Sequence, residues 1–308
     1  MSPGGAPAQA ASASAPGRFL LSGKEGGPRL SVALDRRALC RVEPIAAGLE
    51  VESKESLTKA SARDTGELVE RAPGSLAAQA LALFGAPAGL RVVTEWKLPA
   101  GSGIHGEAAL ALAATAAVSH ALGQERRPSE LIEVAREVGA RARRLDEHGL
   151  HAALWGGVVL TRGACGSLEG ERLDVDPGRI DESLMVVDAG EPSEADAPAG
   201  AGLASEAGAA LTGRIVEALG SGRFEEVVDL VAEEASSVAL RPGQRRVVDL
   251  ARAAGGAARP LGEGRLVAVW APPGARGPGR REAVQAALQA AGWKPLAVRL
   301  DLRGLELD

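Results

Sequence analysis

The stretch LPAGSGIHGEAALALAATAAV, residues 98–118, constrains the fold most, because a glycine-spaced segment runs directly into an alanine-rich one. Gly101, Gly103 and Gly106 permit tight turns and let a ligand approach the bare main chain. Alanine, which dominates the second half, is the strongest helix former. The stretch therefore predicts a loop leading into a helix N-terminus, where N–H groups and the positive end of the helix dipole favour an anion, most often a phosphate. A tight strand-to-helix turn that binds nothing accounts for the same residues equally well.

The length and composition indicate a large protein with a core of small aliphatic side chains. The 308 residues exceed a typical domain, so we expect one large or two closely packed domains. Hydrophobic residues make up 45% of the chain but aromatic residues only 2%, which leaves Ala, Val and Leu to fill the core. The net charge of −5 argues against a general nucleic-acid-binding protein, because such a protein needs a basic face.

Neither the cysteines nor the N-terminal segment indicates an exported or membrane protein. Cys40 and Cys165 are too few for a disulfide framework and lack the spacing of metal ligands, as expected in a reducing cytoplasm. The segment MSPGGAPAQAASASAPG lacks the charged and leucine-rich regions of a signal peptide, and no apolar run is long enough to span a membrane. We therefore predict a cytoplasmic protein without membrane contact, with a disordered tail over residues 1–14.

The order of predicted elements indicates an α+β protein with two halves and a ligand site between them. Strands are predicted within residues 18–44, 90–99, 154–162, 183–190, 265–273 and 294–307. Helices are predicted over residues 107–122, 127–145, 209–219, 223–235, 243–254 and 280–292, the second with Ser129 as its N-cap. The low-complexity Glu/Ala/Gly segment over residues 191–208 is expected to be a flexible loop that separates the halves, 15–190 and 209–308.

Three separated segments resemble, in order, the motifs of the GHMP small-molecule kinases, a family that includes galactokinase, mevalonate kinase and heptose-phosphate kinases. They are APGRFLLSGKEGG at residues 15–27, PAGSGIHGEAA at 99–109 and GAARPLGEG at 256–264. The resemblance covers nearly the whole chain after residue 15. It implies a two-lobed α+β fold, in which the N-terminal lobe resembles a ribosomal-protein fold and the C-terminal lobe is ferredoxin-like.

The resemblance also implies an ATP- and Mg²⁺-dependent kinase whose second motif wraps the nucleotide phosphates. Carried over to this chain, the nucleotide-binding residues are Pro99, Gly101, Ser102, Gly103, Ile104, His105, Gly106, Glu107 and Ala108, with Gly262 and Gly264 from the third motif. Two serines of the family's second motif, one of which helps to hold Mg²⁺, fall on Gly106 and Glu107. Because carboxylates are ordinary Mg²⁺ ligands, Glu107 is the candidate metal ligand, although its charge could equally repel phosphate.

For catalysis, the resemblance implies a role for Arg18 but leaves the position of the usual aspartate empty. Arg18 matches the basic residue beside the reacting hydroxyl, where arginine stabilises developing negative charge, and the alternative is an exposed arginine at a strand start. The family's aspartate falls on Gly149. Asp146 is the candidate replacement, and the neighbours Glu147, His148 and His151 are alternatives in what we interpret as a polar loop. The family Lys of the third motif becomes Arg259.

These features favour a phosphotransferase that acts on a hydroxyl of a small metabolite. Arg18 and the segment LDLRGLEL resemble the sugar and mevalonate branches, so the expected substrate is a sugar or a mevalonate-like polyol. Because several catalytic groups differ, we predict nucleotide binding with weak or substrate-restricted turnover. The alternatives are a member without catalysis that serves as a ligand-binding or regulatory module, and, on fold kinship alone, a decarboxylase or mutase relative.

Overall fold

Alternating and continuous apolar runs form strands along the whole chain, and alanine- and leucine-rich segments form the helices between them. The computed structural model describes residues 8–23, 26–97, 104, 106–143, 147–164, 166–190, 206–261, 264–273 and 279–308. The strands in these ranges are β1 (Ala11–Ser22), β2 (Arg29–Pro44), β3 (Leu49–Ser53), β4 (Thr58–Ala62), β5 (Leu90–Trp96), β6 (Val158–Arg162), β7 (Glu169–Arg172), β8 (Leu184–Asp188), β9 (Ala257–Pro260), β10 (Leu266–Trp270), β11 (Pro295–Leu296) and β12 (Glu306–Leu307). The helices are α1 (Thr65–Arg71), α2 (Leu76–Leu83), α3 (Glu107–Ala121), α4 (Pro128–Arg141), α5 (Glu147–Trp155), α6 (Pro177–Ser183), α7 (Glu206–Gly220), α8 (Phe224–Ala235), α9 (Pro242–Ala253) and α10 (Arg280–Ala290).

The first sheet is built around the long antiparallel pair β1 and β2. Its strand order is β12-β1-β2-β5-β3-β4, and β6 and β7 extend it from the other half of β2. Helices α2 to α5 contribute to the core cluster on one face, and α3 lies at the centre with almost all of its side chains buried. A helix that is apolar on every side must be buried, and alanine lets its neighbours approach closely. The alanine run thus places the N-terminus of α3 in the middle of this half.

The second sheet has the ferredoxin-like arrangement that the resemblance implies. Its strands are all antiparallel, in the order β11-β8-β10-β9. Along the chain they follow the pattern strand, helices, strand, strand, helix, strand, which is the βαββαβ unit. The predicted fold class is confirmed.

One core cluster joins the two halves. It contains Phe19 and Leu21 from β1 together with Ile215, Phe224 and Trp270 from the second half. Phe19 and Leu21 therefore face an interior that both halves share. Because burial of this size is hard to undo, we expect the halves to behave as one folding unit.

A buried ion pair crosses the same junction. Arg259 on β9 lies 3.0 Å from the carboxylate of Glu234 on α8. Its guanidinium also donates to the carbonyl of Leu21 at 2.6 Å, and Glu234 accepts from the N–H of Gly23 at 3.0 Å. The end of β1 is thereby fixed to the second half by charge-assisted hydrogen bonds.

Several predicted boundaries need correction. The tail predicted over residues 1–14 is too long, since 11–14 belong to β1; their Ala-Ser alternation buries only methyl groups and gives a weak strand signal. Strand β8 lies before residue 190 but pairs in the second sheet. Helix α7 starts at residue 206, and residues 191–205 of the predicted flexible loop lie outside the described residues.

Other corrections concern the type of element. Helix α4 starts with Pro128 after an Arg127 N-cap, rather than after Ser129, because proline favours the first helical position. The closing strand predicted over 294–307 is mostly irregular, with β11 and β12 at its ends. Strand β12 pairs with β1 in the first sheet. Among the described residues no helix has the length and apolarity needed to cross a membrane.

Candidate functional site

The N-terminus of α3 lies at the point that the glycine-spaced segment predicts. The helix begins at Glu107, and Gly106 at the N-cap makes no side-chain hydrogen bond to the first turn. The first helical hydrogen bond runs from the N–H of Leu110 to the carbonyl of Gly106 at 2.8 Å. A first turn without a side-chain cap is the kind of terminus that binds an anion.

Only part of the predicted phosphate-binding segment lies within the described residues. Pro99, Gly101, Ser102, Gly103 and His105 fall outside them. The side chain of Ile104 is buried in the core cluster between the two halves. Gly106, Glu107 and Ala108 lie at the start of α3, and of these Ala108 is fully buried.

Trp96 fills the space that a side chain at residue 106 would need. A Cβ on Gly106 would lie 2.5 Å from Cε2 of the Trp96 indole, and a Cβ on Gly17 would lie 2.2 Å from its Cη2. The ring therefore packs against two glycines, one from the first motif and one from the second. The family serine that falls on Gly106 is incompatible with this position of Trp96. Sequence reasoning missed this contact, because residues 17, 96 and 106 are far apart or unremarkable in the chain.

Arg18 is a buried residue, which corrects the alternative of an exposed arginine at a strand start. Its relative exposure is 1%, and its Nη1 donates to the hydroxyl of Ser31 at 3.1 Å. Burial and, to a smaller extent, the charge of Arg29 lower the pKa of Arg18 to about 9, against the opposing effect of the Glu107 carboxylate. The guanidinium is thus still a cation at neutral pH, held in the interior beside the start of α3.

Because Gly149 has no side chain, the guanidinium of Arg18 can lie against it. A Cβ at residue 149 would lie 3.0 Å from Nε of Arg18 and 2.8 Å from Cβ of Ala108. The position that carries the family's aspartate is therefore packed between an arginine and the first turn of α3. Losing the carboxylate and burying the guanidinium are two aspects of one packing arrangement.

In the predicted polar loop over residues 146–151, residues 147–151 are instead the start of α5. Asp146 lies outside the described residues. Glu147 accepts a hydrogen bond from the N–H of Gly166 at 2.7 Å, which ties it to the loop between β6 and β7. His148 and His151 are both buried in the packed helix. The sequence did not predict helix α5, because its polar residues favour a loop, whereas one face of the helix packs on β1 and α3.

His148 is held as a neutral imidazole. Its Nδ1 lies 2.7 Å from the hydroxyl of Thr161, which donates to the carbonyl of Arg29 at 3.3 Å. Because that hydroxyl has one proton to give, Nδ1 must donate to it. Burial, together with smaller effects of Arg29, Arg18 and His151, lowers the pKa of His148 to about 3. So weak a base is a poor proton acceptor at neutral pH, which disfavours His148 among the alternatives for the missing catalytic base.

His151 has a structural environment of its own. It packs on Trp155 with ring centroids 5.2 Å apart, and burial lowers its pKa against a smaller opposing effect of a backbone hydrogen bond with Leu168. A Cβ on Gly170 would lie 2.5 Å from its Nδ1. His151 therefore serves the packing of α5 on β7.

In the third motif, the described residues Arg259 and Gly264 both make contacts within the protein. Arg259 is engaged in the buried pair with Glu234. Gly262 lies outside the described residues. The N–H of Gly264 donates to the carbonyl of Leu261 at 3.2 Å, and its carbonyl accepts from Gln244 at 2.8 Å. Since its main chain is already paired, Gly264 does not match the phosphate-binding role predicted for it.

A cavity of about 410 Å³ adjoins the elements that the glycine-spaced segment connects. Thr94 on β5 and Leu110 on α3 both line it, and the β3–β4 hairpin and helices α1 and α2 close its other sides. Its volume is within the usual range for small-molecule sites. No motif marked this cavity, and α1 and α2 were not predicted, so sequence reasoning missed it.

Metal-binding capacity near α3 is limited. Among the described residues, no group of three or more His, Cys, Asp or Glu side chains is arranged to hold a metal ion. Glu107 is half-buried and close enough to Arg18 to raise its pKa. One carboxylate together with phosphate oxygens and water is nevertheless an ordinary Mg²⁺ environment.

Comparison with known proteins finds a family match over part of the chain. The family model described as GHMP kinases N terminal domain matches residues 67–157. No curated protein matches the chain in sequence.

Solved structures extend the likeness to nearly the whole chain. A D-glycero-D-manno-heptose 1-phosphate kinase from Bacteriodes thetaiotaomicron has a TM-score of 0.75 at 15% identity, covering 97% of this chain and 98% of that one. Homoserine kinase from Cytophaga hutchinsonii has a TM-score of 0.69 at 17% identity, covering 97% of each chain. Mevalonate diphosphate decarboxylase from Staphylococcus aureus also has a TM-score of 0.69, at 13% identity, covering 97% of this chain and 98% of that one. The predicted resemblance is confirmed: residues 67–157 match the GHMP kinase N-terminal domain, and the chain has the GHMP kinase fold over nearly its whole length.

Proposed function

We propose that this protein is an ATP-dependent phosphotransferase that phosphorylates a hydroxyl of a small metabolite, a sugar or a mevalonate-like polyol. The observation that carries the proposal is the first turn of α3, which lacks a side-chain cap and lies beside the buried cation Arg18. A helix N-terminus and an interior guanidinium together favour a transferred group that gains negative charge. The family match supports the same reaction class.

In this proposal the nucleotide phosphates bind along residues 99–108 and the N-terminus of α3. Glu107 is the carboxylate on the metal side, and bound Mg²⁺ would neutralise part of the phosphate charge. Because Trp96 excludes a serine hydroxyl at residue 106, Glu107 is the one side chain of that pair with an oxygen to offer. Backbone contacts depend on chain geometry more than on side-chain identity, so nucleotide binding should tolerate the altered motif.

Arg18 and Asp146 have complementary roles in the proposed reaction. The acceptor oxygen bonds to the γ-phosphorus as the bond to the bridging oxygen of ADP breaks, and Arg18 stabilises the negative charge on the transferred group. The hydroxyl proton passes to the carboxylate of Asp146, since a side chain at Gly149 would clash with Arg18 and His148 is too weak a base. Phosphoryl transfer depends mainly on positioning and electrostatics, so a displaced base is compatible with slow turnover.

A second candidate function is a ligand-binding module without catalysis. The packing of Trp96 against Gly106 and of Arg18 against Gly149 favours it, because both remove groups that the family uses in the reaction. Both functions predict nucleotide binding, and only the first predicts phosphoryl transfer.

Nucleotide titration with and without Mg²⁺, followed by ATP turnover with sugars, mevalonate, phosphomevalonate and homoserine, tests the proposal. We expect Mg²⁺-dependent ATP binding and slow turnover with one substrate of this panel. Arg18→Met, which keeps a buried unbranched side chain, should lower kcat by about 10²–10³ with little change in ATP affinity. Binding without turnover on any of these compounds would support the module instead, and no binding would contradict both functions.

A further inference from the structure

Along the β3–β4 hairpin, the lining of the cavity beside α3 changes from apolar to polar side chains. Val51 and Ala60 pair across the β3–β4 hairpin, and so do Ser53 and Thr58, one step nearer the hairpin tip. All four line the cavity, and so does Leu76. One end is thus suited to a flat apolar group and the other to a group that forms hydrogen bonds.

The polar end is the end nearest to the start of α3. Thr94 lies opposite Ser53 in the parallel pair of β3 and β5, and it also lines the cavity. Two residues later, about 7 Å further along the strand, β5 ends at Trp96 and the chain leaves towards α3. A molecule that reaches from the N-terminus of α3 into the cavity therefore meets hydroxyls first and the apolar end second. Phosphate, sugar and base follow one another in a nucleotide in this same order.

Glu55 is the single acidic side chain among the described residues that line this cavity. Its two carboxylate oxygens lie 3.1 and 3.4 Å from the hydroxyl of Thr94, which is buried and donates to them. The neighbouring lysines pair elsewhere, Lys54 with Glu95 at 3.6 Å and Lys59 with Glu50 at 3.1 Å.

The carboxylate of Glu55 has unused capacity to accept hydrogen bonds. In the described part of the chain it makes no ion pair, and the Thr94 hydroxyl is its hydrogen-bond donor. An ionised carboxylate has about four acceptor positions, so most of them are available to a molecule in the cavity. The charge of Glu55 is felt inside the protein as well, since it adds to the burial that raises the pKa of Cys40 to about 12.

We infer that Glu55 recognises the ribose of the bound nucleotide, its carboxylate accepting hydrogen bonds from the 2′- and 3′-hydroxyls. The inference rests on the proposed function and names the residue that selects the sugar. Two adjacent hydroxyls match two carboxylate oxygens, and such charge-assisted bonds are stronger than neutral ones. A carboxylate serves the ribose 2′-hydroxyl in the same way in dinucleotide-binding folds. Thr94 is a positioning residue, because it holds the carboxylate against the wall of the cavity.

Calorimetric titration of ATP, 2′-deoxy-ATP, 3′-deoxy-ATP and GTP, each with Mg²⁺, tests this assignment. The wild-type protein should bind ATP about tenfold more tightly than either deoxy analogue, as expected for the loss of one hydrogen bond to a charged group. Glu55→Gln should weaken ATP binding by about tenfold and reduce the preference over 2′-deoxy-ATP to less than twofold. Thr94→Val should also weaken ATP binding and reduce the preference over 2′-deoxy-ATP, each by a smaller factor.

Glu70→Gln is the matched control, since Glu70 is an exposed residue of α1 in the same half and the change in charge is identical. It should leave all four dissociation constants unchanged, and thermal melts check that each variant is folded. Equal binding of ATP and 2′-deoxy-ATP by the wild-type protein would overturn the ribose assignment while leaving the proposed function intact. An effect of Glu55→Gln on GTP alone would place the contact at the base and also overturn it. If no nucleotide binds the wild-type protein, the proposed function fails together with the inference.

Discussion

Returning the family's serine to residue 106 should destabilise this protein, although serine is ordinarily the better residue there. The backbone at Gly106 has φ −91° and ψ −20°, a conformation open to any residue, and serine is preferred over glycine at an N-cap by a few tenths of a kcal/mol. Local propensity therefore predicts a small gain. The tertiary contact predicts the opposite, because the new Cβ would lie 2.5, 2.8 and 2.9 Å from three atoms of the Trp96 indole.

The size of the effect follows from the rigidity of that ring. Movement of Trp96 is restricted by Gly17 as well, because a Cβ there would lie 2.2 Å from Cη2 of the same ring. Forcing an extra atom into a packed interior costs about 1–3 kcal/mol, so Gly106→Ser should lower the free energy of unfolding by about 2 kcal/mol. In a Trp96→Leu background the same change should cost less than about 0.5 kcal/mol. The coupling energy between the two positions is then more than about 1 kcal/mol, within the range seen for residues in contact.

Urea unfolding of the wild type, both single variants and the double variant measures this cycle, with equal slopes confirming comparable unfolding. Gly213→Ser is the control, because Gly213 is exposed in α7 and a Cβ there meets no atom within 4 Å. It should be neutral or slightly stabilising. The packing argument is refuted if Gly106→Ser is neutral in the wild-type background, or if its cost is the same in both backgrounds.

Three further predictions concern charge and protonation. The pKa of His148 is lower in the folded than in the unfolded protein, so the unfolded state takes up a proton first, and the free energy of unfolding should fall as the pH drops from about 6.5 towards 3. The slope for one proton is at most about 1.4 kcal/mol per pH unit. Urea titrations at several pH values should show this slope in the wild type and not in His148→Asn. Arg259→Met should lower the free energy of unfolding by about 3–5 kcal/mol, because it leaves the carboxylate of Glu234 buried without its cation. In the same denaturation assay, the double variant Arg259→Met/Glu234→Leu should recover most of this loss. If the proposed roles hold, Glu107→Gln weakens Mg-ATP binding in titrations. Asp146→Asn then slows single-turnover phosphoryl transfer by about 10²–10⁴ while ATP affinity stays unchanged. Unchanged kinetics in both variants would contradict these roles.

Local signals predicted the start of α3 well, and long-range packing decided what sequence reasoning missed. The change from glycine to alanine at residues 106–108 is a nearest-neighbour feature, so it located the helix N-terminus correctly. The contact of Trp96 with Gly17 and Gly106 joins distant segments, and no local pattern records it. The sequence comparison could register glycine at residue 149 as the loss of an aspartate, but only the position of Arg18 explains why a side chain is excluded there.

Helix α5 illustrates the same limit in another form. Its glutamate, glycine and two histidines favour a loop by composition. Burial against β1 and α3, together with the hydrogen bond between His148 and Thr161, outweighs that preference. Tertiary contacts regularly override weak propensities in short helices.

The pairing of β12 with β1 has a consequence for folding during synthesis. Ser12 and Asp308 exchange main-chain hydrogen bonds at 2.8 Å, and Asp301 likewise bonds to the main chain of Ala33 and, through its side chain, to Arg37. Residues near the start of the sheet thus find partners in a segment that is translated much later. During synthesis at about 5–20 residues per second, the edge of β1 stays unpaired until those residues leave the ribosome. A ribosome stalled shortly before residue 300 should therefore hold a first sheet with an open edge, a state in which the nascent chain is most exposed to aggregation.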